Sequence, residues 1–182
     1  FQNIFSPLAA VVPGKSGMKE QRMSMGSRMT TQALGLVNAE APLVRTGLVD
    51  AEGSFEERYA DKLGAVKTKT GGIVSSITPD YIEVTKDDGT KEKHELYNNY
   101  AYNRKSLIHN TPVVKHHQRV EPGQLLAKSN YTDDKGVSAL GVNLRTGYMN
   151  YKGLNFEDAV VISESAAKKL ASQHMYQNQL DI

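Results

Sequence analysis

The chain has 182 residues, 39% of them hydrophobic and 23% charged, with a net charge of +2. That composition is ordinary for a globular chain and excludes global disorder, while so small a net charge does not by itself imply nucleic-acid binding. With no cysteine, disulfides and thiolate metal sites are excluded, and a reducing compartment is compatible.

No apolar run approaches the length of a membrane span. The opening FQNIFSPLAAVV lacks the basic start and small-residue cleavage site of a signal peptide. A start at Phe1 rather than Met suggests a processed, truncated or fragmentary polypeptide. Charge is unevenly placed. Lys15, Lys19, Arg22 and Arg28 stand against Glu20 near the front, whereas Glu157, Asp158, Glu164 and Asp181 stand against Lys168 and Lys169 near the back.

Residues 1–12 are apolar and end at Pro13–Gly14, which reads as a strand or turn entering a loop. From about Met18 to Ala33 the spacing of Met18, Met25, Met29 and Ala33 predicts a helix. Gly26 interrupts it at modest cost and would let another chain approach closely. Residues 41–50 look like an extended entry segment, and residues 51–62, highly charged, read as a linker or exposed loop.

The middle is β-rich. GGIVSSI predicts a strand, Pro79–Asp80 a turn, and YIEVTK an alternating strand. Asp88–Gly89 signals a hairpin, and KEKHEL returns as an edge strand. TPVVKHH and QRVEPGQLLAKS suggest two more short strands around Glu121–Pro122–Gly123. Toward the end, AVVIS reads as an apolar strand. Ser163 is then a good N-cap for a short helix that would bury Ala166, Ala167, Leu170 and Ala171.

Several motifs dissolve on inspection. Gly14-Lys15-Ser16 resembles the end of a P-loop, but Ala9 stands where glycine is needed and Pro13 removes a donor, so a solvated turn is expected. His109, His116 and His117 lack metal-ligand spacing, and neighbours on a strand point to opposite faces. Asp133–Gly136 and Asp87–Gly89 lack the acid spacing of calcium loops and read as turns.

Two constellations are sharper. Glu157–Asp158 precede an apolar run, where paired acids are costly to desolvate. They either face a cation or phosphate-bound metal, or form a solvated turn, and the bare residues leave both open. Arg22 and Arg28 lie on the glycine-interrupted helix. Spacing alone favours a solvated basic face. The functional reading is phosphate contact, for which a guanidinium fork is suited.

RMSMGSRMTTQAL followed by EAPLVRTGL resembles the R-A-L-M-G-x-N-M-Q-R-Q-A-V and P-L-V-G-T-G-x segment of bacterial RNA polymerase beta subunits. LGVNLRTGYMNYKGLNFEDAVVISE is similar to their segment around N-F-E-D-A. Between these, KTGGIVSSITPDYIEV and RVEPGQLLA match two further blocks in the right order.

The resemblance implies a mainly β fold with a few short helices. Double-psi β-barrel core segments would span 1–50, with the active-centre helix, and 129–182, with the NFED motif. A sandwich-barrel hybrid module would fill 51–128. It implies that Arg22 contacts the triphosphate of the incoming nucleotide. Gln32, and Arg28 beside it, would lie at nucleic acid, and Glu157 and Asp158 would act as catalytic residues beside a second magnesium ion.

The implied activity is nucleotidyl transfer by a DNA-directed RNA polymerase, silent without the largest (beta-prime-type) subunit, which holds the primary magnesium. Other implied partners are the remaining beta-subunit segments, DNA template, RNA and nucleoside triphosphates, with no membrane and a cytoplasmic location. A non-catalytic assembly module is the alternative. Arg28 replaces asparagine, Thr31 arginine, Arg45 glycine, and Asn150–Tyr151 Pro-Trp. These departures suggest a divergent enzyme, and a phage-encoded polymerase with split subunits would also explain the short chain.

Overall fold

A computed structural model describes residues 5–10, 12, 17–48, 52–102, 105–176 and 178. The P-loop-like Gly14-Lys15-Ser16 lies outside the described residues, as does Asp181. In chain order the helices are α1 (Pro7–Ala10), α2 (Glu20–Thr31), α3 (Phe55–Tyr59) and α4 (Glu164–Lys169). The strands are β1 (Val66–Lys67), β2 (Gly72–Ile77), β3 (Tyr81–Thr85), β4 (Lys91–Glu95), β5 (Tyr100–Ala101), β6 (Leu107–Ile108), β7 (Asn110–Pro112), β8 (Arg119–Val120) and β9 (Leu125–Ser129). The chain is therefore mainly antiparallel β with a few short helices, as the sequence predicts.

The alternating run 81–85 builds the largest sheet, in the order β4-β3-β2-β8. Val84 faces Val74 across β2, and Ile82 faces Ile77. A period of two puts Val74, Ile82 and Val84 on one face, and all three are fully buried. They pack with Val114, Val120, Leu126 and Ala127 into the main core. The Asp88–Gly89 hairpin forms as predicted: Gly89 sits at φ 83, and the Thr90 amide and hydroxyl both donate to Asp88 Oδ1.

β4 is the expected edge strand. Its inward positions, Glu92 and His94, lie opposite Val84 and Ile82. Inward polar groups on an edge discourage further pairing. His94 Nε2 is buried without a hydrogen bond, and burial pushes the ring pKa down despite Glu92 nearby.

A second sheet, β1-β9-β7, is stitched by buried Asn110, whose amide donates to Gly64 O at 2.7 Å and Lys128 O at 3.2 Å.

Three expectations are corrected. Residues 51–62 are not a featureless linker, because Ser54 and Glu57 form a reciprocal capping box that opens α3. AVVIS is not a strand: Val160 is 80% exposed, and among the described residues no segment pairs with it. A strand exists only where a neighbour completes its hydrogen bonds, and periodicity cannot supply the neighbour. α4 is capped as predicted, with the Ala166 amide donating to Ser163 Oγ at 3.2 Å, yet none of its residues is buried.

Candidate functional site

α2 carries the predicted cations. Glu20 in its first turn and Arg28 in its last complement the helix dipole. Arg22 and Arg28 are both exposed. At about 100° per residue their side chains leave the helix roughly 120° apart. Arg28 and Gln32 are four apart and share a face. Arg22 Nη1 lies 3.8 Å from Met25 Sδ. Gly26 does allow a close approach, but the approaching group belongs to this same chain. A Cβ there would meet Val12 Cγ1 at 3.3 Å.

Beyond α2 the chain is fastened to distant segments. Val37 N donates to Ala171 O at 2.9 Å, and Gln173 N to Gly35 O at 2.8 Å. Glu40 then gathers three donors. Lys169 Nζ reaches Oε1 at 2.8 Å. The Asn143 amide N and Nδ2 reach Oε2 at 2.9 and 3.1 Å. Asn143 Nδ2 also donates to Ala41 O at 2.9 Å. The Lys169 hydrogen bond, followed by those from Asn143, lowers the Glu40 pKa to about 2. Residues 144–168, which contain the predicted acids, thus leave and return at one carboxylate.

Within that loop Asn155 supplies the local order. Its Oδ1 accepts from Tyr151 N at 2.9 Å and its Nδ2 donates to Met149 O at 2.7 Å. Gly153 N donates to Asn150 Oδ1 at 3.1 Å, with Lys152 and Gly153 at φ 52 and 72. Next, Ala159 N closes a turn onto Phe156 O at 3.2 Å. Glu157 occupies that turn at φ 56, a left-handed conformation that disfavours side chains other than Asn, Asp and Gly.

Glu157 and Asp158 are exposed, and neither carboxylate has a hydrogen bond or ion pair among the described residues. Such uncommitted oxygens suit magnesium, which keeps several waters and takes one or two protein carboxylates. Among the described residues no group of three or more metal-ligating side chains forms. An ion at this pair would have to take its remaining ligands from water, substrate or another chain.

The structure joins the segments carrying the predicted residues without joining the side chains themselves. No hydrogen bond or ion pair links Arg22, Arg28 or Gln32 to Glu157 or Asp158 among the described residues. The five predicted residues are all exposed, and two cavities, of about 240 and 500 Å³, are lined by other residues. Glu40, Asn143 and Lys169 were not anticipated, because their partners are 103 and 129 residues apart. The ordering role of Asn155 was not anticipated either, although its contacts lie within six residues. The histidine premise needs correction: His116 and His117 lie in a turn, not a strand, with rings 5.8 Å apart. Both are exposed, as expected for surface histidines. Asp133 forms a turn, accepting from Lys135 N and Val137 N.

Comparison with known proteins agrees with this arrangement of sequence blocks. The family described as "RNA polymerase Rpb2, domain 6" matches residues 67–181. A protein of Syntrophomonas wolfei named "DNA-directed RNA polymerase subunit beta" is 35% identical over 168 residues, covering 92% of this chain. The chain spans 14% of that relative's length. With the NFED-bearing loop, its Glu40 anchor and the central sheet all inside the matched or aligned region, the chain belongs to the RNA polymerase Rpb2 domain 6 family.

Proposed function

We propose that this chain is part of the catalytic core of a multisubunit DNA-directed RNA polymerase, a nucleotidyltransferase assembled with DNA, RNA and a largest subunit. The observation that carries the reading is the Glu40 clasp. It fastens the exit of the arginine-bearing helix to both ends of the loop bearing Glu157 and Asp158. Arg22 steadies the triphosphate of the incoming nucleotide through its guanidinium fork. Asp158, with Glu157, presents open carboxylate oxygens toward a second magnesium ion, and Gln32, with Arg28 beside it, faces nucleic acid. Bound magnesium would neutralise developing charge on the phosphates, which dominates phosphoryl-transfer catalysis.

In this reading residues 1–50 and 129–182 are barrel-core segments around an inserted module at 51–128. The double-psi barrel itself is part of the proposal, as are a phage origin and a cytoplasmic location. Among the described residues, no helix is long and apolar enough to cross a membrane.

The test is elongation by the assembled complex on a fixed template. Asp158→Ala should slow nucleotide addition at least about tenfold and raise the magnesium needed for half-maximal rate. Arg22→Ala should raise the apparent KM for nucleoside triphosphates. Both variants must still co-purify with the other subunits. Unchanged elongation by Asp158→Ala would favour the alternative, a structural module of the complex.

A further inference from the structure

The segment between β4 and β7 carries a surface that neither the core nor the proposed chemistry uses. From residue 96 to residue 120 the sequence contains no aspartate or glutamate. In that acid-free stretch Tyr97, Tyr100 and Tyr102 are 45%, 60% and 52% exposed. Tyr100 opens β5, and residues two apart on an extended chain project to the same side. Tyr100 and Tyr102 therefore share a face. The Tyr97 ring joins it, 5.7 Å from the Tyr100 ring and tilted 46°. Tyr102 leans on buried Tyr131 at 6.1 Å, which ties the face to the second core cluster.

A cation and a fourth ring adjoin it. Met175 N donates to Lys105 O at 2.8 Å, pinning the tail against the hairpin. Lys105 Nζ then lies 4.8 Å from the centroid of the Tyr176 ring, and Tyr176 is 71% exposed. An acid does border the stretch: Asp80 accepts from Asn98 Nδ2 at 3.4 Å. Charge attraction alone is therefore modest here, and ring area is the larger resource.

We propose that the Tyr97–Tyr100–Tyr102 face, with Lys105 and Tyr176 beside it, binds a single-stranded nucleic acid by base stacking. Every base offers a π-face, so tilted tyrosines with a neighbouring ammonium form a sequence-tolerant platform. An acidic peptide would use the ammonium but has no need of the rings. This inference does not depend on the polymerase reading, because it requires no nucleotide incorporation.

The test is fluorescence anisotropy of the full chain with fluorescein-labelled oligo-dT and oligo-rU of about 12 nucleotides. Tyr100→Ala/Tyr102→Ala should weaken binding about tenfold or more, while Tyr100→Phe/Tyr102→Phe retains it. Lys105→Ala should reduce the slope of log affinity against log salt by roughly 0.7. Photocrosslinking with 5-iodouracil oligonucleotides should place adducts on these tyrosines, and the two oligonucleotides report whether DNA or RNA is preferred. The proposal is overturned if neither oligonucleotide binds, if the double alanine variant binds as tightly as the parent, or if a polyglutamate peptide binds equally well.

Discussion

Gly72 is the tightest point in the large sheet, and replacing it with alanine tests how the sheet is packed. An added Cβ would lie 2.4 Å from Thr85 O and 2.9 Å from Val84 Cγ1. Ordinary contact is about 3.5 Å or more, so roughly 1 Å must come from moving β3. That strand has little freedom. Val84 is fully buried, and β4 pairs along its other edge.

Overpacking of this kind costs about 1–3 kcal/mol. The reduced entropy of the unfolded chain returns about 0.4–1 kcal/mol, which leaves Gly72→Ala destabilising by up to about 2.6 kcal/mol, with a central value of about 1.3 kcal/mol. Gly71→Ala is the matched control, because its Cβ would meet Val120 O at 3.4 Å, an ordinary contact. Urea unfolding of both variants, followed by far-ultraviolet circular dichroism, measures the difference. Equal midpoints for Gly71→Ala and Gly72→Ala would refute the reasoning.

The Glu40 clasp makes stability depend on acid. Its pKa is lowered to about 2 in the folded chain from an ordinary value of 4.5, so its contribution is full above pH 4.5 and is lost as pH falls toward 2. Glu40→Gln should remove that part of the pH dependence of Tm, and a parallel decline in parent and variant would contradict the assignment. Ser54→Ala removes the side-chain acceptor of the Glu57 amide and should cost about 1 kcal/mol in urea unfolding; no change would mean that α3 does not depend on its box. Glu157→Gly should slow hydrogen exchange at the Ala159 amide, which closes the turn, whereas Glu157→Val should hasten it, since β-branched residues resist positive φ. Identical exchange in the two variants would argue against a left-handed Glu157.

The parts of the fold that were legible in the sequence rest on short-range hydrogen bonds and period-two alternation. The Asp88–Gly89 turn and the Ser163 cap carry their partners within a few residues, and YIEVTK finds its neighbours in the strands directly before and after it. The capping box of Ser54 and Glu57 was equally local, but the charge density of residues 51–62 drew the reading toward a linker. AVVIS went the other way: its composition suits a strand, and tertiary structure supplies no neighbour for it.

For the candidate site, residue types singled out Arg22, Arg28, Glu157 and Asp158 with a solvated alternative open for each, and the resemblance of the sequence blocks added Gln32 and the roles. Only tertiary structure decided that the segments holding them are fastened together. The clasp joins Glu40 to Asn143 and Lys169 across 103 and 129 residues. The left-handed turn at Glu157 was likewise decided by the folded loop. The physical reason is separation along the chain. Local torsions and caps are set by a residue and its neighbours, whereas a carboxylate with distant donors gains its partners only after the intervening sheets have folded and brought them within reach.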